Sequence, residues 1–526
     1  MQSQLTFYLL LGYFVILAAI VYWSSRGQSS QDFAIGSRQV GFVDTTASLV
    51  AGFRDGAGIV VWLLLSIVFQ FGALWLTVGM LLGLALLAIS AKRVNELSRQ
   101  QSYVTVNDLI ADKFGTHTAF VASIIIVVAV LLISAAQLSI SGNIFGHLFQ
   151  VSPLAGVWIT TGIIGVYLLL SMIRSELQRN VKRSWLNEKT LQIARIVGLG
   201  LLFLGLLVYV VASTVTNNTF FALSVPTGVW LVAISVSAYL VMGGYKTIVK
   251  TDVFQWLLVL LIVILLPILL WRSDVVLAPS TFISIPPVTA LGFAGISFLV
   301  VYSSPDVWQR IFSAKSGGTA QGAILAAGPI YLVITIGLVI FGVLLGARLE
   351  NVAPDKILHA IYEMEAAPTL AVSLLSVFIL VAVMSTLDTQ VFLFAQTITR
   401  NLVPKRFIKN EQASVRISRA IIIAVLALLG LVAVYVRDLI TFLFGAVTIM
   451  TILSPVLFLS IHRQQAITAT QDRQIAATII VVALIYGVMF IAGAFENLLF
   501  TLVPALLASA MCSVVLAFSR DSDALD

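Results

Sequence analysis

Long apolar segments alternate with short polar segments along the whole chain. A helix needs about 20 apolar residues to cross the hydrocarbon layer of a membrane. The apolar run from Gly58 to Ser90 is too long for one helix, so we place a division near Trp62. The pattern predicts an all-α polytopic membrane protein. Its fifteen candidate spans lie approximately at 5–23, 42–62, 65–90, 119–146, 153–173, 192–213, 226–243, 252–271, 286–304, 321–346, 369–397, 418–436, 439–461, 475–494 and 497–518.

Basic residues are distributed unevenly between the alternate loops. If the N-terminus lies outside, the outside loops carry only Arg272, Arg348, Lys356 and Arg437 of the 30 Lys and Arg residues. Nearly all the others then fall in inside loops. Because cytoplasmic loops are enriched in Lys and Arg, this distribution predicts an N-terminus outside and a C-terminus inside. Any odd number of spans gives the same result.

The composition narrows the class of protein. Hydrophobic residues make up 60% of the chain, charged residues 10%, and the mean hydropathy is +1.06, whereas about a quarter of an ordinary soluble domain is charged. These values exclude a soluble enzyme, a disordered protein and a fibrous protein. Since the polar segments are short, residues 1–526 are expected to form one integral membrane domain surrounded by lipid. Basic loops explain the net charge of +7, so no nucleic-acid partner is expected.

One predicted span contains two adjacent ionised side chains away from its ends, where charges are expensive in lipid and usually functional. It includes Ala51-Gly52-Phe53-Arg54-Asp55-Gly56-Ala57-Gly58. Three glycines in this stretch predict a helix break that exposes backbone carbonyls able to coordinate a cation. Alternatively, the glycines permit close helix packing, although packing alone does not explain two adjacent charges.

Another predicted span contains a polar stretch, Ala382-Val383-Met384-Ser385-Thr386-Leu387-Asp388. The hydroxyls of Ser385 and Thr386 are hard oxygen ligands that suit a small hard cation. Asp388 lies three residues after Ser385 and therefore on the same helix face. The alternative is that the two hydroxyls bond back to the preceding turn of their own helix.

A third segment, from Gly243-Gly244 to Thr251-Asp252 and Gln255, joins two predicted spans. We interpret it as a short turn that delivers the Asp252 carboxylate to a helix N-terminus, where the helix dipole stabilises negative charge. This interpretation requires no function.

Taken in the order in which they occur along the chain, these three segments resemble the signatures of the sodium/solute symporter family. The resemblance is closest to its sodium/proline symporter branch. Ser304-Pro305 followed by Arg310 also resembles the end of that family's sixth core helix. The resemblance implies a LeuT-like fold of two inverted five-helix repeats plus peripheral helices, with broken first and sixth core helices and about 13–15 spans. Because the Gly-Gly motif comes one helix pair late, an extra pair is expected within 119–243.

The resemblance also implies site residues. The main sodium site would be formed by backbone carbonyls of Phe53, Gly56 and Ala382 and by the hydroxyls of Ser385 and Thr386. Asp55 matches a carboxylate important for sodium binding, and Asp252 matches an acidic residue linked to a second cation site. The solute would lie near Ala57, Gly58, Ser297, Val301 and Tyr302. Ser297 and Val301 replace aromatic positions expected to hold proline, so the solute is not expected to be proline itself.

Arg54 and Asp388 depart from the family pattern. We predict that the two side chains pair across the first and eighth core helices, since each is costly to bury alone. In that case Asp55 and the neutral oxygens remain for a cation, with Asp388 adding negative field. Two alternatives stay open: Arg54 is a tethered cation at the sodium position, or it binds a solute carboxylate through its bidentate fork.

These features favour secondary active transport: a sodium gradient drives uptake of a small organic solute by alternating access. A carboxylate-bearing solute such as an amino acid is favoured. Sodium is co-transported, no organic cofactor is expected, and a monomer suffices although an oligomer is compatible. The location expected is the cell membrane, the bacterial inner membrane in particular.

Other classes of function stay open at this stage. A proton-coupled carrier would titrate Asp55, Asp388 or Asp252, and a carrier with Arg54 as its tethered cation would need no sodium. A membrane sensor that kept the fold would need a partner. A channel fits less well because the sequence shows no ring of filter residues. An intramembrane enzyme also fits less well, because the sequence shows no pair of a nucleophile and a base.

Overall fold

A computed structural model describes residues 2–24, 28–149, 225–271, 285–347, 369–433, 439–462, 467–494 and 498–522. The predicted spans 153–173 and 192–213, and with them most of the region expected to hold an extra helix pair, lie outside the described residues. What is described consists of helices and short connections, with one isolated bridge between Val40 and Ala314.

The described ranges contain seventeen α-helices. We number them α1 (Gln2–Ser24), α2 (Ser30–Ile35), α3 (Phe42–Gly52), α4 (Gly56–Phe69), α5 (Leu74–Gln100), α6 (Val106–Phe114), α7 (Thr116–Phe149), α8 (Val225–Trp271), α9 (Pro287–Ser303), α10 (Pro305–Ser313), α11 (Gly317–Gly346), α12 (Thr369–Thr397), α13 (Glu411–Ala433), α14 (Leu439–Thr451), α15 (Ser454–His462), α16 (Ala469–Ile491) and α17 (Val503–Ser522).

Many of these helices are suited to a membrane. Within the described ranges, 8 helices are long and apolar enough to cross it, or up to 9 if the bent pair α9–α10 counts as one span. That pair bends by 47° at Ser304. The bend agrees with the expected break in the sixth core helix. The number of spans in the whole chain and the orientation of its termini stay predictions.

The first predicted break is present, but the next division lies elsewhere than predicted. Helix α3 ends at Gly52 and α4 begins at Gly56. The division near Trp62 is wrong, because Trp62 lies inside α4 and the chain turns at Gln70, which has a φ of 50°. Gln70 is a single polar residue between two phenylalanines, so hydropathy averaged along the chain does not reveal that its positive φ ends the helix.

Helix α8 contains the turn predicted at Gly243-Gly244, as a kink between its two halves. It changes direction at Gly244, which has a φ of 50° and a ψ of −148°. A Cβ atom at this position would lie 2.6 Å from the Phe33 carbonyl oxygen, so a residue with a side chain would disturb the contact with α2. The predicted placement of Asp252 at a helix N-terminus is wrong, since Asp252 lies two turns beyond the kink and is fully buried.

Helix α12 occupies the centre of the described fold. It is buried along nearly its whole length and contacts α1, α3, α4, α7, α8 and α13. Its central part nevertheless contains Ser385, Thr386 and Asp388. Because polar groups are costly to bury, this placement of hydroxyls and a carboxylate points to a site inside the helix bundle.

Helices α5 and α9 pack closely at Gly79 and Gly83, which are four residues apart. Small residues at this spacing allow two membrane helices to approach. A Cβ atom at Gly79 would lie 2.7 Å from the Cα atom of Ala294, and one at Gly83 would lie 2.9 Å from Cγ2 of Val301. The absence of side chains at these two positions therefore sets the distance between α5 and α9.

We predict that Gly79→Ala destabilises the protein by about 1–3 kcal/mol, because the added methyl group pushes α9 away from α5. The change is measured as a lower midpoint of thermal unfolding in detergent. Gly487→Ala is the matched control, since a Cβ atom there meets nothing within 4 Å. Equal midpoints for the two variants would contradict this account of the α5–α9 contact.

Candidate functional site

The break between α3 and α4 lies directly against α12. A Cβ atom at Gly56 would lie 2.8 Å from the backbone nitrogen of Val383 and 3.0 Å from the carbonyl oxygen of Ile379. Only glycine permits this approach of one backbone to another. The structure therefore brings together the two segments, 51–58 and 382–388, that the sequence singled out for cation binding.

The hydrogen-bond pattern of α3 changes at the break. The Arg54 amide donates to the Ala51 carbonyl at 3.1 Å, and the regular pattern resumes where the Ile59 amide donates to the Asp55 carbonyl at 2.9 Å. A helix end leaves some carbonyls without intrahelical donors. The carbonyls of this break, including the predicted sodium ligand Phe53, are therefore placed where a cation could use them.

The Asp55 carboxylate caps the N-terminus of α4 by accepting a hydrogen bond from the Gly58 amide. The Gln137 side chain of α7 also lies beside it. Capping orients the carboxylate, but a carboxylate has about four lone-pair sites, so a cation could share it. Direct ligation of sodium by Asp55 stays a prediction.

Ser385 and Thr386 differ in their contacts. The Ser385 hydroxyl donates to Oδ1 of Asp252 at 2.8 Å, so it reaches across to α8 rather than back along its own helix. Thr386 is 2% exposed, and its hydroxyl has no hydrogen-bond partner among the described residues. A buried hydroxyl without a partner is a place for a bound water molecule or ion.

A small cavity adjoins Ser385. It has a volume of about 10 Å³, which is roughly the room for one water-sized group. Its walls come from α3 and the break that follows it, from the second half of α8, and from α12. The lining residues are Val50, Ala51, Arg54, Gln255, Trp256, Val259, Val381, Ala382 and Ser385.

A buried network of charges connects α3, α8 and α10. Nη1 of Arg310 lies 2.6 Å from Oδ2 of Asp306, and Nη2 lies 3.6 Å from Oδ2 of Asp252. Nε of Arg310 donates to Ser48 at 2.8 Å, and Ser48 in turn donates to Asp252. Asp252 is therefore linked both to Arg310 and to the predicted sodium ligand Ser385.

The predicted pair of Arg54 and Asp388 is wrong. No ion pair joins them, and within the described part of the chain no guanidinium nitrogen of Arg54 has a hydrogen-bond partner. The guanidinium carbon instead lies 3.8 Å from the ring centroid of Tyr331 on α11 and 4.9 Å from that of Trp62. A guanidinium is weakly hydrated and stacks well on aromatic faces, so Arg54 turns toward the rings.

The predicted solute residues on α9 face other helices in this conformation. Val301 packs against Gly83 of α5, and Tyr302 packs against Phe458 of α15 with ring centroids 5.6 Å apart. Neither they nor the partly exposed Ser297 line the cavity at Arg54. Ala57 and Gly58 lie in the first turn of α4, at the break. The solute contacts of all five residues stay predictions.

Several residues of this region were not assigned a role from the sequence. Asp306 lies four residues before Arg310 in α10, a spacing that itself indicates an ion pair on one helix face. The sequence around Ser48 or Tyr331 shows no comparable spacing to a charged partner, because each side chain meets its partners on other segments of the chain. Their roles depend on which helices become neighbours.

The comparisons with known proteins agree with this geometry. The family model described as the Sodium:solute symporter family matches residues 271–471. No curated protein matches the chain in sequence. A solved structure entitled "Substrate-bound outward-open state of a Na+-coupled sialic acid symporter reveals a novel Na+-site" is similar at 14% sequence identity and a TM-score of 0.64. The match covers 97% of this chain and 96% of that chain.

These findings confirm the predicted fold class. The chain is an integral, multi-pass membrane protein with a LeuT-like helical fold. Both the family model and the similar structure describe transporters. Neither finding supports the closer resemblance to the sodium/proline branch, which stays a prediction.

We predict that Arg310→Gln destabilises the protein by about 3–5 kcal/mol, because it leaves the buried Asp252 and Asp306 without their cation. The double variant Arg310→Gln/Asp306→Asn should recover part of the loss, since it removes one of the unpaired carboxylates. Thermal unfolding of the purified variants in detergent measures both effects. A single variant as stable as the unmodified protein would show that the network does not stabilise the bundle.

Proposed function

We propose that the protein is a secondary active transporter that couples the uptake of a small organic solute to a sodium gradient by alternating access. The observation that carries the proposal is the contact between the α3–α4 break and the centre of α12, a helix whose buried Thr386 hydroxyl has no hydrogen-bond partner among the described residues. The match to the symporter family model and the likeness to a Na+-coupled symporter support it.

The charges in the bundle also favour a bound cation. Four carboxylates and two guanidinium groups lie in or beside the network and the break, so negative charge is in excess when all are ionised. Unbalanced charge is costly in a membrane interior, and a bound cation reduces the imbalance. The groups concerned are Asp55, Asp252, Asp306 and Asp388, and Arg54 and Arg310.

On this proposal, sodium binds to carbonyls of Phe53, Gly56 and Ala382 and to the hydroxyls of Ser385 and Thr386. Carbonyl and hydroxyl oxygens are the hard ligands that such a cation prefers. The breaks at 53–55 and Ser304 supply the interrupted helices around which transporters of this kind alternate. Sodium is the co-transported ion, and the cycle uses no organic cofactor.

A proton-coupled carrier of the same fold is the second candidate. Asp252 and Asp388 are both fully buried, and a buried carboxylate can carry a proton instead of a metal ion. The alternative in which Arg54 is a tethered cation at the sodium position is less well supported. Arg54 lines the cavity together with Ser385, but within the described residues none of its guanidinium nitrogens donates a hydrogen bond to Ser385 or Thr386, and its guanidinium carbon lies 3.8 Å from the Tyr331 ring centroid.

The proposal extends to the solute and the location. A carboxylate-bearing solute such as an amino acid is favoured, because the bundle contains a buried arginine without a hydrogen-bond partner among the described residues. The site lies within one chain, so a monomer suffices for transport. The membrane in question is the cell membrane, in a bacterium the inner one.

We predict that purified protein in proteoliposomes accumulates at least one solute of a panel only when a sodium gradient is imposed. The panel contains amino acids, monocarboxylates and sugars. Ser385→Ala/Thr386→Ala should abolish the sodium dependence, since it removes both hydroxyl ligands. Ser376→Ala is the matched control on the same helix, because its hydroxyl bonds back to the Val372 carbonyl at 2.8 Å.

The ion gradients are varied one at a time. Uptake that follows sodium in the unmodified protein and in Ser376→Ala, but not in the double variant, supports the proposal. Uptake that persists without sodium and collapses with the proton gradient favours the proton-coupled alternative. Unchanged sodium dependence in the double variant would show that sodium binds elsewhere.

A further inference from the structure

Arg54 is the most unusual charged residue in the described structure. Its side chain is 2% exposed, and Nε, Nη1 and Nη2 all lack hydrogen-bond partners among the described residues. A guanidinium carries five N–H donors and stays charged at any physiological pH. Its guanidinium carbon lies 3.8 Å from the ring centroid of Tyr331 and 4.9 Å from that of Trp62. Tyr331 and the neighbouring Asp55 interact with the guanidinium electrostatically. Because none of its nitrogens makes a hydrogen bond of good geometry within the described residues, its N–H groups are placed to donate to an anion.

Trp256, which also lines the cavity at Arg54, has a second unused donor. Nε1 of Trp256 is buried and has no hydrogen-bond partner within the described ranges. Its neighbour Gln255 donates from Nε2 to the Tyr13 hydroxyl at 2.8 Å, while its Oε1 atom is also unused. Two donor side chains and one acceptor thus line one small space. This combination suits a carboxylate that has an N–H or O–H donor attached nearby.

We infer that Arg54 binds the carboxylate of the transported solute and that this contact makes sodium binding depend on the solute. The inference rests on the proposed sodium-coupled transport and deepens it by assigning the solute class and the residue that recognises it. The cavity of about 10 Å³ has room for one water-sized group, so a carboxylate enters only when α3, α8 and α12 move apart there. The remainder of the solute must therefore extend beyond it.

The dependence follows from electrostatics. Arg54 lines the same cavity as Ala382 and Ser385, two residues of the predicted sodium site. With no anion present, its positive charge repels sodium across a medium of low dielectric constant. A bound carboxylate neutralises that charge, so sodium then binds more tightly. Thermodynamic linkage requires sodium to tighten solute binding by the same factor.

Three variants separate these effects. Arg54→Gln removes the charge and the donor fork. Arg54→Lys keeps the charge but loses the bidentate geometry. Arg419→Gln is the matched control, because Arg419 also stacks on an aromatic ring, that of Phe33, with its guanidinium carbon 5.4 Å from the centroid, but it does not line the cavity.

The experiment measures equilibrium binding of radioactive sodium to purified protein, with methanesulfonate as the reference anion. Acetate is added as the minimal carboxylate probe, and acetamide is its uncharged counterpart. The solute of the uptake panel that accumulates most is tested in the same way, beside its carboxamide. In the unmodified protein and in Arg419→Gln, the carboxylates should raise the sodium affinity by about 5- to 150-fold, the usual range of coupling between two sites. The amides should not.

Before any carboxylate is added, sodium should bind more tightly to Arg54→Gln than to the unmodified protein. Added carboxylates should then change the sodium affinity of Arg54→Gln less than about twofold, which is below the usual range of coupling. Arg54→Lys should keep the weak sodium binding and respond less to carboxylates than the unmodified protein does. A carboxylate effect that survives in Arg54→Gln overturns the inference. Folding of each variant is checked by its thermal unfolding midpoint.

The same measurement with added chloride shows whether the anion that binds at Arg54 is a carboxylate or a halide. If chloride raises the sodium affinity of the unmodified protein as much as the carboxylates do, and loses this effect in Arg54→Gln, the site belongs to a halide and the solute assignment is wrong. Sodium-driven uptake with unchanged carboxylate selectivity in Arg54→Gln contradicts the inference alone. No sodium-driven uptake by the unmodified protein contradicts the proposed function itself.

Discussion

The arrangement of this protein depends on one contact, the approach of the Gly56 backbone to the backbone of α12 at Ile379 and Val383. A side chain at position 56 would hold the two segments apart and would widen the space between the α3–α4 break and the polar centre of α12. Because α12 is buried along nearly its whole length, this contact lies inside the bundle. There, polar groups have few partners other than one another, water or an ion.

Electrostatic interactions connect this contact to the rest of the bundle. Ser385 donates to Asp252, and Asp252 belongs with Ser48, Asp306 and Arg310 to one buried network. A movement of α10 or α8 would therefore change the surroundings of the proposed sodium site. Alternating access needs such a link between ion binding and helix position. Arg54 makes no ion pair with this network within the described residues, and its guanidinium lies against the rings of Tyr331 and Trp62.

Much of the fold and part of the site follow from the sequence. Three glycines and two charges predicted the break at 53–55, and the polar stretch of α12 indicated its partner. The Gly243-Gly244 pair likewise predicted the kink in α8. The division near Trp62 was wrong, because hydropathy does not report a single residue with positive φ such as Gln70. The Arg54–Asp388 pair was wrong for another reason. Helical spacing shows which residues share a face of one helix, whereas the rings that meet Arg54 include one on α11, far along the chain.

The central claim is that the α3–α4 break and α12 together bind a monovalent cation. Crystallography with thallium ions in place of sodium tests it most directly, because thallium scatters X-rays anomalously and can be located without assumptions about its ligands. The account predicts an anomalous peak in contact with the Thr386 hydroxyl and with a carbonyl of the break at Phe53 or Gly56. A peak elsewhere in the bundle, with none at Thr386, would contradict it.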